Sequence, residues 1–241
     1  ADQFNLLQEL LVKRFHQIKP MLPFNTLHLA CCKDTVEDRG TIQYLQDCCS
    51  DAGIETQFIY MEDIGISEDG KHFTDMNDKI IDSIFKLYPW EYMHREDFAQ
   101  YLENTEINWL EPMWKSISSN KALLPILWKL YPNHPNLLEA YFEDDPEAKK
   151  LTSYVKKPVF SREGSNITVV IDGEVVQEVD GPYGEEGYIL QQYHSMPRFG
   201  SNHVLIGSWL VDDQPAGLSI REDVGYVTKD TSLFVPHIIN G

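Results

Sequence analysis

Tyr154-Val-Lys-Lys-Pro-Val-Phe-Ser-Arg-Glu-Gly-Ser-Asn-Ile167 is the stretch on which the reading of this chain turns. It opens as a β-strand over residues 154–160, carries two lysines, and then meets the small-residue turn Gly164-Ser165-Asn166 before a second strand. A hairpin of this kind can lay backbone N–H groups over phosphates while a strand lysine neutralises their charge. The same residues also describe solvated edge-strand lysines ahead of an ordinary turn. Local chemistry leaves both readings open.

Downstream the pattern stays β-rich. Segments 166–171 and 174–179 flank Asp172-Gly173, a strong two-residue hairpin signal. Segments 188–193, 204–211, 216–220 and 225–228 extend a mainly antiparallel series. Within it, Gln191-Gln192-Tyr193-His194 ends a strand that could offer its backbone to an adenine edge, or simply pack in a core. Arg221, followed by Glu222 and Asp223, could steady a transferring phosphoryl group or form an exposed ion pair worth little.

Upstream the signal differs. Phe4, Leu7, Leu10, Leu11 and Phe15 recur at helical spacing, so the chain opens on an amphipathic helix. A strand over 26–32, a helix over 37–52 ended by Gly53, and a strand over 55–61 make a right-handed βαβ unit. Residues 62–80 read as an acidic loop or short hairpin around Asp69-Gly70, and 80–87 as helical or extended. Glu37 and Asp38 open the second helix, where carboxylates suit the helix dipole whatever else they do. The apolar pattern thins between Trp90 and Trp114. An apolar helix follows over 121–128, with Pro125 near its first turns and Pro132 and Pro135 after it. Opening on Ala1 at the edge of a helix, without Met, reads as a fragment.

Composition sets the outer limits. The chain has 241 residues, 42% hydrophobic and 24% charged, which are globular values. Its net charge of −18 argues against nucleic acid, which needs clustered basic residues. The same charge suits a cationic partner by long-range attraction, or serves solubility alone. No apolar run has the length of a membrane helix, and no signal peptide opens the chain. Cys31-Cys32 and Cys48-Cys49 lack zinc or redox spacing, so reduced, mostly buried thiols in a cytoplasm are expected.

Several ordered blocks together resemble the glutathionylspermidine synthase family. They are Glu111-Pro-Met-Trp through Lys121-Ala-Leu-Leu-Pro-Ile-Leu-Trp128, Tyr131-Pro-Asn-His-Pro, Lys157-Pro with Ser161-Arg-Glu-Gly-Ser-Asn166, Gln191-Gln192, and Arg221-Glu-Asp. Val36-Glu-Asp-Arg39 and Thr231-Ser-Leu-Phe-Val-Pro-His237 spread the likeness over nearly the whole chain. It is nearest to the stand-alone bacterial ligases of that family. The resemblance implies an α/β (α+β) ATP-grasp fold, with an incomplete α/β substrate lobe over 1–110 and the nucleotide-binding part over 111–241. It implies an ATP- and magnesium-dependent acid–amine ligase working through an acyl-phosphate on a peptide-like carboxylate and a cationic amine.

By position, the resemblance assigns Lys121 and Lys157 to ATP phosphates and Glu163-Gly164 to the phosphate-covering loop. Gln191, Gln192, Tyr193 and His194 fall to the adenine linker, Arg221 to phosphoryl transfer, and Glu37-Asp38 to the amine. The family's metal ligands lie upstream of its opening helix, so no metal ligand is expected in this chain and the fragment alone is expected to be inactive. Tyr92 stands where glutathione-using relatives carry a small hydroxyl residue, which sets glutathione itself in question. The rival reading is a non-catalytic ATP-grasp module that binds nucleotide or a partner without turnover.

Overall fold

The computed structural model describes residues 3–239. They form a mixed α/β protein with two compact units, one of Leu6–Ser116 with Leu210–Ala216 and one of the remaining residues.

The first unit is built on a parallel sheet whose order is 55–60, 26–31, 83–86, 108–110. Strand Thr26–Cys31 lies inside it and is buried on both faces, even though polar Thr26 and His28 alternate with Leu27 and Leu29. Leu27, Leu29 and Cys31 pack on one side with Phe15 of helix Leu7–Ile18 and with Ile42, Leu45 and Cys48 of helix Val36–Asp51. Ala30 and Ile84 face the other side, against Phe73, Ile81 and Trp90. Each such aliphatic side chain taken fully out of water contributes about 1.5–3 kcal/mol. The sheet is therefore covered on both sides, and only the strand ends remain open to a ligand.

The expected βαβ run is present, and the ambiguous segment 80–87 is the strand Ser83–Lys86. Residues 65–66 and 73–74 pair antiparallel around the Asp69-Gly70 turn. All four cysteines are free thiols, and three are buried. Phe4 is a correction to the opening helix. It lies before Leu7, and its carbonyl accepts from Leu218 N–H at 3.0 Å while its own N–H donates to His237 at 3.0 Å.

The second unit contains a five-stranded antiparallel sheet in the order 174–178, 168–171, 154–158, 188–192, 140–142. Asp172 and Gly173 both adopt positive φ, 51° and 84°, as the two-residue turn between strands 168–171 and 174–178 requires. A further sheet orders Arg198–Phe199, Asn202–Val211, Gln214–Asp223 and Leu233–Val235. The expected strand at 225–228 is absent. Its backbone donors are taken by side chains instead: Gly225 N–H donates to Asp223 at 2.8 Å and Tyr226 N–H to Gln177 at 2.8 Å. No helix among the described residues is long and apolar enough to cross a membrane.

Candidate functional site

In the second unit, strand Tyr154–Pro158 sends its two lysines to opposite faces, as the two-residue period of a strand demands. Lys156 faces outward, paired with Glu143 at 2.5 Å and lying over the Tyr188 ring. Lys157 faces inward. Its ammonium donates to Gln191 Oε1 at 2.7 Å, a diagonal contact because Lys157 stands opposite Ile189 in the register.

Lys157 lines a cavity of about 360 Å³ together with Gln191, Gln192, Tyr193 and His194. Burial, and then the neighbouring positive charge of Lys121, lowers the Lys157 pKa from 10.5 to about 8. A cation that is both desolvated and repelled by a second cation is stabilised by an incoming anion. Lys121 is not itself part of the cavity wall. Its ammonium donates to the Ser161 carbonyl at 2.7 Å and to Ser161 Oγ at 2.9 Å, which ties it to the start of the Gly-containing turn.

That turn is seated closely on its neighbours. Glu163 and Gly164 have φ of 56° and 75°, and a Cβ at Gly164 would meet Val227 Cγ1 at 2.6 Å and the Thr228 carbonyl oxygen at 2.9 Å. Only glycine fits there, since both the conformation and the approach exclude a side chain. Val227 and Thr228 in turn line the cavity, so the loop backs directly onto its wall.

The strand Tyr188–Gln192 has already committed two of its donors. Gln192 N–H donates to the Glu139 carbonyl at 2.7 Å and Tyr193 N–H to the Ser153 carbonyl at 3.0 Å. A planar ligand in this cavity would therefore meet the strand through its side chains and through the backbone beyond Tyr193.

Arg221, on strand Gln214–Asp223, stands opposite Phe234 in the register and stacks its guanidinium 5.0 Å from that ring. It donates from Nη2 to the Lys229 carbonyl, while its buried Nε finds no acceptor. A guanidinium held in place with a donor to spare is suited to an anionic ligand. Arg221 does not line the cavity.

Glu37 and Asp38 belong to the first unit, in the first turn of helix Val36–Asp51. Asp38 accepts from Thr35 Oγ1 at 2.9 Å, a local contact at the helix start. Its charge also reaches Cys31 and Cys32 at the end of the central strand. Tyr92 packs edge-on against Tyr88, with ring centroids 5.8 Å apart.

The apolar walls escaped the reading of the sequence. Val155, Ile167, Leu205 and Tyr226 complete the cavity around the polar residues. Val155 was within reach of strand alternation, since it lies two residues before Lys157 and on the same face. Leu205 and Tyr226 come from distant segments, and no local signal marks them. Among the described residues no three His, Cys, Asp or Glu side chains gather into a metal site. The magnesium that the resemblance implies thus has no carboxylate cluster here.

The family described as glutathionylspermidine synthase preATP-grasp matches residues 1–240. A putative acid–amine ligase of Haemophilus influenzae is 40% identical over 98% of this chain and 62% of its own length. A trypanothione synthetase of Crithidia fasciculata is 30% identical over 83% of this chain and 34% of its own. The bifunctional glutathionylspermidine synthetase/amidase of Escherichia coli is 28% identical over 88% of this chain and 38% of its own. The chain therefore spans between a third and just under two thirds of the length of these three relatives. With one family covering nearly every residue, the chain belongs to the glutathionylspermidine synthase preATP-grasp family.

Proposed function

We propose that this chain is the nucleotide-binding and amine-binding part of an ATP-dependent acid–amine ligase with an ATP-grasp fold. The observation that carries the reading is Lys157, a desolvated cation repelled by Lys121 in the wall of a cavity that no carboxylate among the described residues lines. The relatives named as acid–amine ligase and synthetases supply the reaction class.

When bound, ATP would supply a phosphoryl group to an acid, leaving ADP and an acyl-phosphate, and attack of an amine on the acyl carbon would form the amide and release phosphate. Lys157, in the cavity wall, neutralises phosphate oxygens, and the nearby charge of Lys121 adds to the attraction. Glu163-Gly164 holds the covering turn at close range. Gln191 to His194, with the apolar walls, position the base. Arg221, with its free Nε–H, holds charge that develops during transfer. Glu37 and Asp38, in the first turn of helix Val36–Asp51, attract the cationic amine by their charge.

The test is product analysis. The complete gene product, offered ATP, magnesium, mixed small peptides and mixed amines, is expected to form an amide and release ADP only when acid and amine are both present. ATP binding without any amide would leave the chain a nucleotide-binding module and overturn the ligase reading.

A further inference from the structure

The first unit has a cavity of its own, about 290 Å³, at the small end of the roughly 300–1,000 Å³ usual for ligand pockets. Its place follows from topology. The chain runs from strand Thr26–Cys31 outward to Glu55–Tyr60, then returns to the other side of the first strand as Ser83–Lys86. A crevice opens outside the carboxyl ends of parallel strands where the order reverses in this way. Met61 follows the second strand, Tyr88 follows the third, and Trp109 lies on the fourth, and all three line the cavity.

Its walls are aromatic and thioether, with two carboxylates among them. Tyr88, Phe98 and Trp109 present ring surface, and Glu62 and Glu96 are the charged members. Glu62 accepts from the Lys33 backbone N–H at 3.0 Å, and Glu96 accepts from the Tyr88 hydroxyl. The Lys33 ammonium goes to Asp63 at 2.5 Å and is favoured as a cation by Asp63 first and then by Glu62, so the Glu62 charge is only partly offset. Two acids in the wall register the resulting field. The Cys32 thiol is pushed up to about 11 by burial and then by Glu62, Asp34 and Asp38, and the Tyr88 phenol is raised by burial and then by Glu96.

We infer that this cavity binds a primary amine bearing one aromatic or bulky apolar group, with its ammonium toward Glu62 and Glu96 and its body against the rings. Aromatic faces attract a cation and shelter an apolar group, whereas two carboxylates repel a carboxylate or phosphate. A linear polyamine fits poorly, because its further ammonium groups would lose their water against Phe98 and Trp109. Asp38, whose charge reaches Cys32 in the cavity wall, belongs to the same negative field. The role of this site as the amine pocket of the ligase rests on the function proposed above. The binding itself does not.

The experiment is a titration of this chain, without ATP, with 2-phenylethylamine, 2-phenylethanol, 3-phenylpropionate and spermidine, read by tryptophan fluorescence and calorimetry. Phenylethylamine is expected to bind about tenfold more tightly than the alcohol or spermidine, and the propionate more weakly still. Glu62→Gln and Glu96→Gln should each weaken the amine about fivefold and leave the alcohol unchanged. Phe98→Ala, at an edge of the cavity, should weaken amine and alcohol alike. Spermidine or the propionate binding as tightly as phenylethylamine, unaltered binding in both Gln variants, or no amine binding in the millimolar range overturns the inference. A protein that shows this selectivity yet forms no amide contradicts only the ligase reading. One that joins a polyamine while lacking the selectivity contradicts only this one.

Discussion

Lys86 in the parallel-sheet unit and Lys157 in the antiparallel-sheet unit are both desolvated, and both titrate at about 8. Their surroundings differ in sign. Lys86 donates to the Tyr88 carbonyl at 2.7 Å, sits 3.8 Å from the centre of the Trp90 ring, and is favoured as a cation by Glu91. Lys157 has one neutral amide partner and a second lysine pushing its charge away. Desolvation alone therefore does not mark a site. A buried cation surrounded by acceptors, an aromatic face and a carboxylate is part of the structure. One left with a like charge and a cavity is, on the function proposed above, a candidate partner for an anion.

The largest expected effect falls on that contrast. Lys157→Met should weaken ATP binding by about 100-fold or more, while removing a buried repulsion should raise Tm by roughly 2–4 °C. Lys86→Met should leave ATP affinity within about twofold. Calorimetry and thermal unfolding of the two variants side by side check both halves, and equal losses of affinity would erase the distinction. Arg221→Ala in the complete protein should lower turnover by about 100-fold with a smaller change in ATP affinity, because the charge it holds develops during transfer. Steady-state kinetics that stay near wild type would make Arg221 a structural stack on Phe234. A smaller effect is expected in the other unit. Glu37→Gln with Asp38→Asn should raise KM for a cationic amine by about five- to tenfold and spare a neutral one, with ATP affinity unchanged. Collapse of nucleotide affinity instead would place that pair with the phosphates.

The two units were also legible to different degrees, for physical reasons. Strand–helix–strand order could be read at strand Thr26–Cys31 because Leu27, Leu29 and Cys31 mark one buried face at strand spacing. Asp172-Gly173 announced its hairpin because few residue pairs accept two positive φ angles. Residues 225–228 misled, since Gly225 and Tyr226 satisfy their backbone through Asp223 and Gln177 rather than through a ladder. A family resemblance assigned Gln191 to His194 to an adenine linker, and the structure shows that they share one cavity, whereas Leu205 and Tyr226 beside them carry no local mark. The same holds for Glu62 and Glu96. They converge only because loops after different strands meet at one end of the sheet, and nothing in an acidic chain distinguishes two carboxylates from the rest.

Proton linkage tests the assignment of Lys157 most directly. Below pH 8 this lysine is charged in the folded and unfolded chains alike. Between about 8 and 10.5 the unfolded chain holds the proton that the folded one has lost, so stability rises with pH across that window. Phosphate binding has the opposite sign, because it requires the proton, and ATP affinity should fall as pH rises above 8. The decisive measurement is calorimetry of ATP binding at about pH 8.5 in buffers of different ionisation enthalpy. The account predicts net proton uptake in the wild-type chain and its loss in Lys157→Arg, whose guanidinium stays charged throughout. Binding heats independent of buffer in the wild type, or uptake that persists in Lys157→Arg, would contradict it.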